Sequence, residues 1–187
     1  RPVIQSYSAY TKRLLELNRQ KFIAPSAPKF VILSAGASDG KYAFFDDMEA
    51  KMALLENYSV RLKFQLYDVD YLLLTQQPDH MRIDLGPSST AGFELFKNYT
   101  IPDVNKSYFA KIKIDHSLLG RLSSTIYQAL PLKMIFELSD GTKEEFRAVR
   151  SVLENGVILN PYVGTTDDYE QMFIGETSAL RKIKSIR

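Results

Sequence analysis

The sequence predicts an α+β fold: a mainly antiparallel, jelly-roll-like β-sandwich with about four helices packed on its edges. Two observations carry this expectation. Short runs of apolar residues alternate with polar ones through much of the chain, as in antiparallel strands with one packed and one wet face. Helical segments do not alternate regularly with strands, so a doubly wound parallel sheet is not expected. The character shifts near Ser59 from a helix-rich front, about residues 1–58, to a strand-rich body, about residues 59–187. A single domain capped by its own front accounts for that shift.

Residues 6–23 read as a helix, with Tyr10, Leu14, Leu17 and Lys21-Phe22 at helical spacing and Ser8 or Thr11 as its cap. Pro25 and Pro28 end it. Residues 30–33 read as a short buried strand and Asp39-Gly40 as a turn. Asp46-Asp47 opens a second helix reaching about Asn57; its acidic start suits the helix dipole, and Met48, Met52 and Leu55 form its apolar stripe. Val60, Leu62, Phe64 and Leu66 alternate with Arg61, Lys63 and Gln65 as a strand. Asp68-Val69-Asp70 either turns the chain into a returning strand at 71–75 or sits in a bulge. Met81, Ile83 and Leu85 alternate again; residues 93–99 and 108–114 read as strands, and 118–130 as a helix capped by Asp115 or Ser117.

The most legible stretch is 131–161. Leu132, Met134, Phe136 and Leu138 alternate with Lys133 and Glu137, Asp140-Gly141 turns the chain, and Phe146, Ala148 and Val149 carry the pattern back as an antiparallel hairpin. Gly156 then precedes the apolar run Val157-Ile158-Leu159, closed by Asn160-Pro161. Thr165 or Thr166 caps a short helix through Phe173, with Asp167 and Asp168 in its first turn, and residues 179–187 read as a strand.

A chain of 187 residues buries a core without disulfides or metals. Apolar residues at 45% and charged residues at 25% are ordinary for a globular protein. A net charge of +2 gives no clustered basic footprint, so no nucleic-acid partner is expected. The basic residues Arg181, Lys182, Lys184 and Arg187 alternate with apolar ones, as an exposed strand face does. The lack of cysteine excludes thiol nucleophiles and Cys-ligated zinc. No apolar run approaches the roughly 18–20 residues of a membrane span. The chain opens at Arg1, with neither methionine nor a signal-peptide pattern, and is expected to be a fragment or a processed form.

Several groups of residues bear on chemistry. Asp68-Val69-Asp70 has the acid-x-acid form with which many nucleotide-sugar glycosyltransferases hold Mg or Mn; as three residues only, it reads first as an exposed turn. Asp46-Asp47 and Asp167-Asp168 read as helix caps and dipole partners before acid–base pairs. His80 and His116 are far apart in sequence. No serine elbow, P-loop, dinucleotide fingerprint or zinc-protease motif is present. No catalytic residue, metal site or cofactor is therefore assigned. Tyrosine and phenylalanine, eleven of each, are the more suggestive residues. Tyr7 and Tyr10 beside Gln5 have the makings of a sugar-stacking surface, with core packing as the competing role. The triplets at Asn57, Asn98 and Asn105 match the N-glycosylation pattern, which matters only in a eukaryotic secretory setting.

Arg1-Pro2, the run from Gln5 to Thr11, Leu17-Asn18 and the run from Ala27 to Leu33 resemble a segment of uncharacterised bacterial polytopic membrane proteins. So do the run from Ile114 to Leu122, Asp140-Gly141-Thr142 with Phe146-Arg147, and the run from Gly156 to Val163. Some of those proteins are labelled glycosyltransferases of the lipid-linked-sugar type. The resemblance implies a periplasmic or extracellular region, residues 1–187, beside a multi-pass membrane portion. It transfers no catalytic residue. The expected function is a non-catalytic domain serving envelope biogenesis. Its expected partners are the membrane portion of the same protein and a glycan or lipid-linked sugar, bound by Gln5, Tyr7 and Tyr10. Two alternatives stand beside it: a glycosyltransferase or glycoside-active domain using a carboxylate pair, Asp68 with Asp70 or Asp46 with Asp47, and a purely structural interaction module.

Overall fold

A computed structural model describes residues 11–36, 40–78, 83, 85–115 and 132–187. It shows an α+β protein: the described residues hold four α-helices and nine strands in three antiparallel sheets. The jelly-roll arrangement is a finer statement than these pairings make.

Helix α1 (Lys12–Ile23) starts where the Thr11 hydroxyl accepts the Leu14 amide. It buries Leu15 and Asn18, not the anticipated stripe, and leaves Leu14 and Leu17 exposed. The reason is its partner. Asn18 donates to the Asp47 carboxylate at the start of α2 (Met48–Asn57), so the polar Asn18 turns inward and the leucines turn out.

The first sheet has the order β1-β3-β2. Strand β1 (Phe30–Leu33) lies where expected but is an edge strand with Phe30 and Ile32 exposed, which corrects its reading as buried. Strands β2 (Tyr58–Leu66) and β3 (Val69–Gln76) form a hairpin whose two-residue turn, Tyr67-Asp68, has φ of 49° and 60°. Those left-handed values are the ones that match strand twist in a tight hairpin. The register slips between Val60 and Leu62, inserting one extra residue. Side chains alternate with a period of two, so the slip moves Leu62, Phe64 and Leu66 to the outer face. Val60 stays on the inner face with buried Leu72 and Leu74.

The second sheet has the order β4-β9-β6-β7. Strands β6 (Leu132–Leu138) and β7 (Lys143–Ala148) form the hairpin read from the sequence, with Met134, Phe136 and Leu138 buried. Its turn is tied by Asp140, whose carboxylate accepts both the amide and the hydroxyl of Thr142. The expected strands at 93–99 and 108–114 shrink to β4 (Tyr99–Thr100) and β5 (Phe109–Ala110), because only those residues find a partner strand. Helix α3 (Arg150–Asn155) was not anticipated; six residues are too few to display a helical period. Strand β8 (Val157–Ile158) follows Gly156, where φ is 115° and an added methyl would overlap the Phe109 ring. Helix α4 (Thr166–Ile174) and β9 (Ile183–Ile186) complete the chain. Buried Asn160 takes up both backbone groups of Ile183, accepting its amide at 2.7 Å and donating to its carbonyl at 3.3 Å.

The core centres on Tyr42, which has no exposed surface. The rings of Phe136, Phe146, Phe45 and Tyr162 lie 5.0, 5.4, 5.5 and 5.6 Å from it. Such pairs add about 0.5–1.5 kcal/mol each beyond simple burial. The buried cluster draws on residues from Tyr42 to Ile186, so front and body share it. No described helix is long and apolar enough to cross a membrane. The anticipated start of the first helix at residues 6–10, Asp39, Met81 and the helix at 118–130 lie outside the described residues.

Candidate functional site

Pairing of β1 with β3 sets the end of β1 beside the tip of the β2-β3 hairpin. The Thr166 hydroxyl then ties α4 to both, accepting the Ala35 amide at 3.3 Å and donating to the Asp70 carbonyl at 3.0 Å. The result is a cleft of about 360 Å³ between the hairpin tip, the end of β1 and the start of α4. That volume is at the lower end of small-molecule sites, roughly 300–1,000 Å³. Asp68 and Asp70 line its mouth, Ser34 and Thr165 offer hydroxyls, and Phe146 and Tyr162 give it an aromatic side. Tyr162 is held from behind by Arg181, whose guanidinium lies 4.8 Å from the ring centre. Gly164 passes under that ring so closely that a Cβ would lie 2.7 Å from it.

The three acidic pairs prove to be different objects. Asp46 and Asp47 are buried. Asp46 holds the Lys41 ammonium at 3.2 Å, with only 1% and 8% of the two side chains exposed. Asp47 caps α2 from a left-handed conformation, accepting the Ala50 amide and the Asn18 side chain. Burial, outweighing the Asn18 hydrogen bond, raises its pKa above the usual carboxylate range. Next to this pair Lys51 is half-buried by area, yet its ammonium turns inward. It donates to the Ala43 carbonyl and sits 5.9 Å from the Phe44 ring centre, and burial lowers its pKa to about 8.

Asp167 and Asp168 serve α4, as read from the sequence. Asp168 accepts the Gly164 and Thr165 amides at 2.9 Å each while the Thr165 hydroxyl accepts the Asp168 amide, a closed capping box. The start of this helix therefore already carries its own anion. Asp167 pairs with Lys63. Asp68 and Asp70 differ again. Asp68 lies in the hairpin turn and Asp70 in the first residues of β3; no hydrogen bond or ion pair engages either carboxylate among the described residues, and the Asp70 charge acts on the Lys63 ammonium. Beside them Tyr67 is 90% exposed. The described residues contain no group of three acidic or histidine side chains arranged for a metal, so the acid-x-acid motif has no third protein ligand there.

Gln5, Tyr7, Tyr10, His80 and His116 lie outside the described residues. Asn57 is buried and donates to the Ala53 carbonyl at 2.7 Å, which closes that triplet to modification; Asn98 and Asn105 are exposed. In the basic C-terminal run Lys184 is exposed, while Lys182 donates to the Thr177 carbonyl. The sequence reading missed Lys41, Tyr67 and Tyr162. A usable signal for Lys41 was present: Lys41 and Asp46 bracket four core-type residues, Tyr42-Ala43-Phe44-Phe45, which pull both charges inward. Compared with protein-family models, with curated proteins and with solved structures, the chain shows no match.

Proposed function

We propose that this chain is a non-catalytic extracytoplasmic domain of a bacterial multi-pass membrane protein, and that its cleft binds a glycan in envelope biogenesis. One observation carries the binding reading: Tyr67 and Asp68, both left-handed, put an exposed aromatic ring and a carboxylate without a partner among the described residues beside a cleft with its own aromatic side. A left-handed conformation costs Tyr67 roughly 1–2 kcal/mol, whereas an aspartate such as Asp68 adopts it more easily. Strain of this kind concentrates at functional sites. Rings for stacking with carboxylates and hydroxyls for hydrogen bonding match the faces and hydroxyls of a sugar. The extracytoplasmic placement rests on the sequence resemblance.

The test is a titration of the protein with soluble oligosaccharides, including fragments of lipid-linked precursors, followed by NMR. Binding is expected, weakened about tenfold by Tyr67→Ala and by Asp70→Asn. If no glycan shifts resonances around Asp70 and Tyr162, or if both variants bind as the parent does, the glycan reading is lost. A glycoside-active second reading is favoured by one fact, that Asp68 and Asp70 line the same cleft. Turnover of a bound glycan that disappears in Asp70→Asn would replace the non-catalytic reading with that one.

A further inference from the structure

The walls of the cleft are unbalanced in charge. Among the described residues, its lining holds two carboxylates, Asp68 and Asp70, and one cation, Lys41. Lys41 does not offset them, because its ammonium is buried against Asp46. The cations beside the cleft are spent in the same way. Lys63 pairs with Asp167 and also feels the charges of Asp70 and Glu170, so three acids share one ammonium. Arg181, behind the Tyr162 ring, has its guanidinium 3.6 Å from the Asp140 carboxylate. The start of a helix ordinarily offers amides to an anion. At α4 those of Gly164 and Thr165 are already taken by Asp168.

A phosphate or a carboxylate entering this cleft meets two charges of its own sign, and every cation named above already has an acid. A positively charged group meets the reverse. Asp68 and Asp70 can both accept hydrogen bonds from it, and Phe146 and Tyr162 add an aromatic side, which attracts cations. The carboxylates also belong to a walled space of about 360 Å³, so the charge is paired with room for the body of a ligand. We propose that the cleft selects a glycan bearing a free amine, an amino sugar whose nitrogen is not acylated, with its ammonium held at the Asp68 and Asp70 carboxylates. This inference rests on the glycan reading above and adds the sign of charge that the glycan carries. The same charges turn away a phosphorylated or acidic sugar.

The experiment titrates the whole chain, followed by NMR, with a glucosamine trisaccharide and with its fully N-acetylated counterpart. Glucose-1-phosphate serves as the anionic sugar and ethanolamine as the amine without a sugar. The amine-bearing trisaccharide is expected to bind about tenfold more tightly than the acetylated one, the difference that a charge-assisted hydrogen bond makes. That gap should shrink as salt rises. Asp68→Asn and Asp70→Asn should each narrow it, chiefly by weakening the amine-bearing ligand. Lys63→Gln should widen it about threefold, because withdrawing a neighbouring cation leaves Asp70 and Asp167 unopposed. A change that merely loosened the cleft would weaken both trisaccharides alike. Equal binding of the two trisaccharides, or a preference for the acetylated one or for glucose-1-phosphate, overturns this inference and leaves the glycan reading standing. Ethanolamine binding as tightly as the glucosamine trisaccharide overturns both, since the cleft would then select a cation and not a sugar. No binding by any of the sugars also overturns both.

Discussion

Asp46-Asp47 and Asp68-Val69-Asp70 look alike as text: two carboxylates within three residues at the border of a regular element. In the structure they share almost nothing. Asp46 and Asp47 are inside, one bound to Lys41 and the other to the first turn of α2 and to Asn18. Asp68 and Asp70 stand at the mouth of the cleft without a partner for either carboxylate among the described residues. The difference lies in the neighbours. The first pair follows four apolar or aromatic residues that form the centre of the core, so its charges are dragged in and must be satisfied there. The second lies at the end of a hairpin, where Asp68 is exposed and Asp70 half-buried, so its charges stay within reach of water. A carboxylate that is already satisfied is scaffold; one that is not is free to meet a ligand.

The largest expected effect comes from breaking the buried pair on one side. Lys41→Met leaves Asp46 inside without its ammonium, and stability to urea should fall by about 3–5 kcal/mol. Lys41→Met with Asp46→Leu should recover most of that loss, because removing both charges removes the desolvation cost with them. A loss below about 1 kcal/mol for the single change would erase the contrast between the two acidic pairs, since exposed ion pairs cost that little.

The hairpin tip should respond in the opposite sense. Tyr67→Asn with Asp68→Gly installs the residues that such a turn favours and relieves two left-handed conformations. Unfolding in urea should show a gain of roughly 1–2 kcal/mol. If the strain is retained for ligand binding, the same variant binds glycans less well while being more stable. A variant that is both more stable and equally able to bind would remove strain as an argument for this site.

What was legible in the chain was local. The β6-β7 hairpin and the acidic starts of α2 and α4 are legible because turn residues and caps act within a few residues of themselves, but the sequence does not separate Asp47 from Asp46, or Thr165 from Thr166, as the capping residue. The strand pattern from Val60 to Leu66 was visible too, but not its faces. One inserted residue at Arg61 exchanges them, and an alternating sequence looks the same on either side of a bulge. The outward turn of Leu14 and Leu17 was hidden for a related reason: Asn18 seeks Asp47, twenty-nine positions away, and sets the rotation of the helix. The cleft was least legible. It gathers Ser34, Lys41, Asp70, Phe146 and Thr165, and no local period records that they meet.

The pH dependence separates the buried cluster from the cleft by smaller steps. Asp47 has a folded pKa raised above 3.8, chiefly by burial. Between 3.8 and the raised value the folded state holds more protons than the unfolded one, so this group favours folding below that window and loses the advantage as pH rises through it. Asp47→Asn keeps a capping side chain and should flatten that acid-side slope. Lys51 gives the alkaline counterpart. Its pKa falls from 10.5 to about 8, so from about 8 to 10.5 the unfolded chain binds more protons and stability rises with pH. Urea midpoints measured from pH 7 to about 9 should climb more steeply in the parent than in Lys51→Met. A parallel climb in both would mean that the Lys51 ammonium is not held inside.

The smallest expected effect on stability is also the most informative about function. Asp68→Asn and Asp70→Asn remove charge from carboxylates that no hydrogen bond or ion pair engages among the described residues, so unfolding should change by no more than about 0.5 kcal/mol, as for surface positions away from special features. Asparagine suits this exchange at Asp68, because it tolerates the left-handed backbone that the turn requires. Thermal unfolding and glycan titration measured on the same samples test both halves at once. Unchanged unfolding with weakened binding is what a satisfied scaffold and an unsatisfied mouth require. A loss of several kcal/mol at Asp70 would instead place its carboxylate beside Asp46 as part of the scaffold. The hydroxyl of Thr166, which already bonds the Asp70 carbonyl, would then be the first contact to examine.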